Sequence, residues 1–216
     1  LPDILSELQH STQLMQTQQE RFLSQLNSAQ SEIRSLRGKL ERAQLAATLD
    51  GLTELLNRSA FTRLLEQALS NGERGVALVM LDIDHFKQFN DQYGHPLGDR
   101  VLQHVGQLLR DLLPPRATAA RYGGEEFCVI MRDCYDLETA HAFAERLRLK
   151  IKALRVKVRS TDKVLDTITA SFGLALAQAG DDPEALITRA DDAMYQAKRN
   201  GRNQVHPPFP ETALIA

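Results

Sequence analysis

Apolar residues recur along the first part of the chain at alternating steps of four and three, from Leu1, Leu5 and Leu8 through Met15, Phe22 and Leu26 to Ile33, Leu36, Leu40, Ala43 and Ala47. Twelve of the fourteen positions visited between Leu1 and Ala47 are apolar, and a seven-residue repeat held over that length predicts a left-handed coiled coil. The exceptions, Thr12 and Gln19, fall on the same seam position, where polar residues cost stability but fix register and strand number. A helix over residues 1–49 would be about 73 Å long at 1.5 Å per residue, too long to bury its stripe on one small domain. A homodimer through this N-terminal coiled coil, with parallel strands, is therefore expected.

Beyond residue 49 the pattern changes to alternating helix and strand. Residues 58–70 carry apolar positions at helical spacing, and GVALVMLDI (75–83) is a continuous apolar run of strand length, as a central buried strand requires. Helical period returns over 98–113 and again over about 136–154. A strand is predicted over about 166–177, and helices over 183–200 end at Gly201, which suits a C-cap. The flanks of RYGGEEF (121–127) are β-prone, so this stretch reads as a hairpin with carboxylates at its tip. Its two glycines permit φ > 0 and the close approach of another molecule. One α/β sheet with helices on its faces is the consistent fold. We expect three parts: a coiled-coil helix over 1–49, an α/β domain over 50–206, and a loose tail over the last residues, HPPFPETALIA, with 207–216 outside the domain.

A formal net charge of -2 gives no electrostatic case for nucleic acid as a partner. No apolar run approaches the ~20 residues of a membrane-spanning helix, so no membrane contact is expected of this segment. Cys128 and Cys134 lie close together without metal-ligand company, which suits reduced thiols in a cytoplasmic protein. The chain begins at Leu1 without a methionine, which leaves room upstream for a sensor domain, a regulatory partner or a membrane anchor.

Candidate chemistry gathers where the apolar strand runs into DIDHFKQFNDQYGHPLGD (82–99). Ligand sites in α/β sheets form at strand ends, which singles out Asp82 and Asp84. Standing two apart, these are expected to point to opposite sides, so that only one joins a given cluster. Capping of the following helix is an equal alternative for Asp84. If the RYGGEEF hairpin pairs beside this strand, Asp82 meets the tip glutamates, and such a concentration of carboxylate calls for a hard divalent cation, Mg²⁺ or Mn²⁺. Lys87, and Lys198, Arg199 and Arg202 in AKRNGRN, could supply cations to a phosphate; a solvated helix end is the plainer reading of the latter run.

Five strings, DGLTELLNRSAF (50–61), LDIDHFKQFNDQYGHPLGD (81–99), RYGGEEF (121–127), SFGLA (171–175) and ADDAMYQAKRNGRNQV (190–205), resemble GGDEF domains in order and spacing, over roughly residues 48–206. The resemblance implies a palm-like, nucleotide-cyclase-like sheet and a diguanylate cyclase that condenses two molecules of GTP into cyclic di-GMP. It implies Asp82, the Ile83 carbonyl and Glu125 as metal ligands, with Asp84 nearby and Glu126 as the second signature acid. Asn90 and Asp99 match the pair that reads the guanine edge. Lys87, Lys198, Arg202 and the backbone around His85 and Phe86 match phosphate contacts. Gly123 and Gly124 match positions where backbone lies against the substrate, and Arg121 is placed to assist phosphate transfer. Each domain would bind one GTP, so two must face each other, and rotation or shift of the helix pair could regulate them.

Two positions depart from the family pattern. The Arg-x-x-Asp motif of product-inhibited members is replaced by Pro114 and Ala117 in PPRATAARYGG, with Arg116 out of register, so no high-affinity product-inhibition site is expected. Glu54 stands where the family generally has glycine. The competing expectation is a silent member that binds GTP as a sensor or interaction module; a coiled-coil protein with a globular cap would bind no nucleotide.

Overall fold

In the computed structural model of the chain, residues 30, 32–37, 48–70, 75–155 and 167–208 are described. The chain divides into Leu1–Ala46 and Ala47–Ala216. In the first unit, residues 32–37 are helical and leave Ile33 and Leu36 exposed at 50% and 56%; the rest of the predicted coiled coil before Thr48 lies outside the described residues, apart from residue 30.

The second unit is a mixed sheet of six strands, in the order β1 (Leu56–Asn57), β3 (Ala117–Arg121), β4 (Glu126–Arg132), β2 (Val76–Ile83), β5 (Ala170–Leu176) and β6 (Val205–His206). Strand β2 is central and pairs antiparallel with β4 and β5. All eight of its residues are buried, which accounts for an apolar run with no polar alternation. Ala77, Val79, Leu81 and Ile83 face one layer, built on α3 (His95–Leu112) and α4 (Leu137–Lys152); Val76, Leu78 and Met80 face the other, on α1 (Arg58–Ser70) and α5 (Pro183–Arg199). The short α2 (Phe86–Tyr93) follows β2 directly.

Helix termini follow local chemistry. Asp136 caps α4 by accepting from the Thr139 N–H, and Asp182 caps α5 by accepting from the Ala185 N–H. Pro96 in the first turn of α3 lets that helix begin three residues before the predicted 98. At the end of α5 the C-cap is Asn200, and Gly201 takes φ 110 just beyond it. Helix α5 lies against β5 at Gly173, where a Cβ would stand 2.1 Å from the Ala190 carbonyl oxygen and 2.2 Å from the Met194 nitrogen. Only glycine allows this approach, and it sets the height at which the end of α5 meets the sheet.

The two-residue strands β1 and β6 carry no sequence signal, and β6 takes His206 from the stretch read as a tail. Residues 209–216 lie outside the described residues.

Candidate active site

The last residues of β2 carry the site. By the strand's alternation Asp82 follows Met80 onto the α1 and α5 side, where α5 delivers Lys198; its Nζ lies 2.9 Å from Asp82 Oδ2. Opposite Asp82 on β4 stands Glu126, its register partner, while Glu125 closes the hairpin turn with its carbonyl accepting from the Ile83 N–H at 3.3 Å. The hairpin thus pairs beside β2, the condition on which the sequence joins Asp82 to the tip glutamates, and the carboxylates of both strands stand at one end of the sheet.

Burial, against the opposing effect of Lys198, pushes the Asp82 carboxyl above its ordinary value, with Asp84 and Asp191 adding to the rise. Glu125 and Glu126 are raised first by burial and then by Asp82. Asp191 on α5, assigned no role from sequence, adds its field to Glu126 as well. The cluster therefore gathers more carboxyl groups than Lys198 and the more weakly acting Arg58 can pair with. Among the described residues no three carboxylate, imidazole or thiol groups are drawn into one coordination shell.

Asp84 does not point away from Asp82. Residues two apart on a strand share a face, and Asp84 accepts from Ser171 Oγ at 2.7 Å, the residue whose Cα registers with Asp82. What separates the two acids is hydrogen bonding. Asp84 also accepts from Thr169 Oγ1 at 2.7 Å and from the Asn203 N–H at 3.0 Å, so it ties β5 and the loop after α5 to the end of β2. It does not cap α2; the N-cap position is His85, in the left-handed region at φ 58, with no side-chain cap.

Phe86 is a core residue, its ring stacked on Phe89 at 6.2 Å, which leaves its backbone for any ligand. Lys87 and Arg202 are exposed. Asn90 lies against α3 at Gly98, where a Cβ would stand 1.9 Å from Asn90 Oδ1. That oxygen is buried and has no hydrogen-bond partner among the described residues. Asp99 is the next residue along α3 and is exposed.

Neither signature glycine takes a positive φ, so the turn does not need them for conformation. At Gly123 a Cβ would meet Glu126 Oε2, the flexible end of that side chain, at 2.2 Å, so the missing Cβ leaves room for Glu126 as it is aimed, whereas a Cβ on Gly124 would meet nothing within 4 Å among the described residues. The Arg121 guanidinium is committed to the turn: Nη2 donates to the Gly124 carbonyl at 2.7 Å and Nη1 to Asp50 Oδ2 at 3.2 Å. Asp50 in turn accepts from the Thr53 N–H and hydroxyl at 2.9 and 2.7 Å, joining the domain's entry segment to the hairpin. Arg116, at φ 61, pairs with Asp133.

Residues 47–204 match the family model described as the diguanylate cyclase GGDEF domain. The chain is 41% identical over 201 residues to the diguanylate cyclase VdcA of Vibrio cholerae, covering 93% of this chain and 57% of that protein. It is 40% identical over 174 residues to the response regulator PleD of Caulobacter vibrioides, covering 79% of this chain and 38% of that one. The chain thus spans little more than half the length of the first of these relatives and less of the second. The crystal structure of the coiled coil and GGDEF domain of DgcB from Caulobacter crescentus, in complex with c-di-GMP, superposes with a TM-score of 0.81 at 38% identity, covering 84% of this chain and 96% of that one. With its mixed six-stranded sheet, its acidic strand end and these relatives, the chain belongs to the GGDEF family of diguanylate cyclase domains.

Proposed function

We propose that this domain joins two molecules of GTP into cyclic di-GMP, releasing two pyrophosphates. The observation that carries the reading is the meeting of Asp82, Glu125 and Glu126 with Lys198 at one strand end. Hard oxygen donors with unneutralised charge fit a divalent cation, and Asp82, the Ile83 carbonyl and Glu125 would hold Mg²⁺ or Mn²⁺. Such an ion, when bound, makes a 3′-hydroxyl more acidic and stabilises charge on a phosphate.

The chain's own residues do the rest. Asn90, at its junction with Gly98, and the exposed Asp99 carboxylate supply an amide and a carboxylate suited to the donor and acceptor pattern of the guanine edge, Asn90 turning its amide out of the junction to reach it. Lys87, Lys198, Arg202 and the backbone N–H groups of His85 and Phe86 hold the triphosphate. The open space over Gly124 leaves room for ribose and phosphate. In each half-reaction a 3′-oxygen forms a bond to the α-phosphorus of the other GTP, and the bond to pyrophosphate breaks. Glu126, with its carboxyl raised by burial, is suited to receive the hydroxyl proton. One site binds one GTP, so the partner is a second copy of this chain, brought near through the N-terminal segment at high effective concentration. The exposed Ile33 and Leu36 support that pairing.

Incubation with GTP and Mg²⁺, with products separated by chromatography, tests the reading. Cyclic di-GMP and pyrophosphate in a ratio of about 1:2 by the stoichiometry of the two condensations are expected; GTP bound and left unchanged would favour a silent sensor.

A further inference from the structure

The loop after α5 is held from an unexpected side. Arg202 and Asn203 both take left-handed backbone, at φ 63 and φ 47, a pair of conformations that persists only under restraint. Part of the restraint is local: the Arg202 N–H donates to the Ala197 carbonyl at 3.0 Å, and the Asn203 N–H to Asp84 at 3.0 Å. The rest comes from α4. Arg148 Nη1 donates to Asn203 Oδ1 at 2.8 Å and to the Asn203 carbonyl at 3.2 Å.

Arg148 is itself set by Glu145, which accepts from its Nε at 2.7 Å and its Nη2 at 2.5 Å, and the Arg148 side chain is only 13% exposed. A planar guanidinium forked onto one carboxylate through Nε and Nη2, and donating through Nη1 to one asparagine, has little freedom. A continuous chain of contacts therefore runs from Glu145 through Arg148 and Asn203 to Asp84, which Thr169 and Ser171 also hold.

We infer that Arg148 is a positioning residue for the triphosphate end of the substrate: by clamping Asn203 it fixes the backbone from which Arg202 projects. The inference rests on the proposed GTP site and assigns a role in it to α4, an element that supplies no residue to that site. Arg148 touches no reacting atom and acts through Arg202.

The test is a double-mutant cycle with Arg148→Met and Arg202→Ala, reading equilibrium binding of GTP and of guanosine together with KM and kcat, and with folding monitored by thermal unfolding. Arg148→Met is expected to weaken GTP binding and raise KM by about fivefold or more, with kcat and guanosine binding changed by less than about twofold. In the Arg202→Ala background the same change should alter GTP binding by less than about twofold. Arg148→Lys, which keeps a cation that can donate to Asn203 but loses the paired grip on Glu145, should recover part of the loss. Additive losses in the double variant, or equal weakening of GTP and guanosine, would overturn the role. If Arg148→Met fails to fold, Asn203→Gly enters the same cycle, removing the side-chain acceptor while tolerating the left-handed backbone. Absence of GTP binding by the unaltered protein would overturn the proposed site itself, whereas normal binding with additive variants overturns only the role of Arg148.

Discussion

Lys198 Nζ stands 2.9 Å from Asp82 Oδ2, so the ammonium pairs directly with a strand end where three carboxyls are pushed up by burial and mutual repulsion, while of these three Arg58 acts only on Glu126 and more weakly. Removing either partner has a different consequence. Lys198→Met leaves Asp82 buried and without its ammonium partner and removes the proposed phosphate contact. We expect kcat/KM to fall about 100-fold, the scale of a lost charge-stabilising donor, and Tm to fall with it. Asp82→Asn removes the charge that raises both glutamates. Turnover should fall at least about 100-fold, with Tm in metal-free buffer equal to or above that of the unaltered protein. Kinetics and thermal unfolding of the two variants side by side check the pair.

The signature glycines should separate in the same experiments. A Cβ on Gly124 meets nothing within 4 Å, whereas one on Gly123 meets the Glu126 carboxylate at 2.2 Å. Gly124→Ala should therefore fold with Tm within about 1 °C of the unaltered protein, yet lose about tenfold or more in turnover if ribose and phosphate lie over that backbone. Gly123→Ala should re-aim Glu126, a flexible end, and lose activity with a modest drop in Tm. Full activity in Gly124→Ala would remove the substrate from this turn.

Glu54 takes φ 59, a conformation that costs a non-glycine residue roughly 1–2 kcal/mol. Part of that is offset because glycine gains more freedom in the unfolded chain. Glu54→Gly is expected to stabilise the domain by about 0.5–1 kcal/mol, a rise in Tm of about 2–3 °C. A fall in Tm would show that the Glu54 side chain holds the entry turn.

Asp50 and the site carboxyls respond to pH with opposite signs. Burial, the largest single influence on Asp50, would raise its carboxyl, but the two Thr53 donors and Arg121 together outweigh it and hold it below the ordinary value. The unfolded chain then binds the proton more readily, so this contribution to stability is complete above the ordinary carboxyl range, about pH 5, and is lost as pH falls through the folded value. Asp82, Glu125 and Glu126 are raised, so each weakens the fold as pH rises through its folded value. Asp50→Asn should lower Tm at about pH 7 and approach the unaltered protein below about pH 3, while Glu126→Gln should raise Tm at about pH 7. Unfolding curves across that range check both signs.

The fold was largely legible because its signals are local. The continuous apolar run of β2, the helical period of α1 and the turn chemistry of RYGGEEF each report on a few neighbouring residues. The separation of Asp82 from Asp84 was not. It depends on Ser171, Thr169 and Asn203, which reach Asp84 across gaps of 85 to 119 residues, and no spacing rule encodes a hydrogen bond of that range. Gly123 shows the same limit, since a Gly-Gly pair suggests positive φ while the structure uses the missing Cβ to seat Glu126. The strands β1 and β6, two residues each, are made by their neighbours.

The most direct measurement is the initial rate of cyclic di-GMP formation from GTP and Mg²⁺ over a wide range of protein concentration. Two facing domains with one GTP each predict a specific activity that rises with concentration and then levels off as dimers fill, and product formed at every concentration that supports dimers. Turnover independent of concentration in a protein shown to be monomeric, or no cyclic di-GMP at any concentration despite bound GTP, would contradict the account.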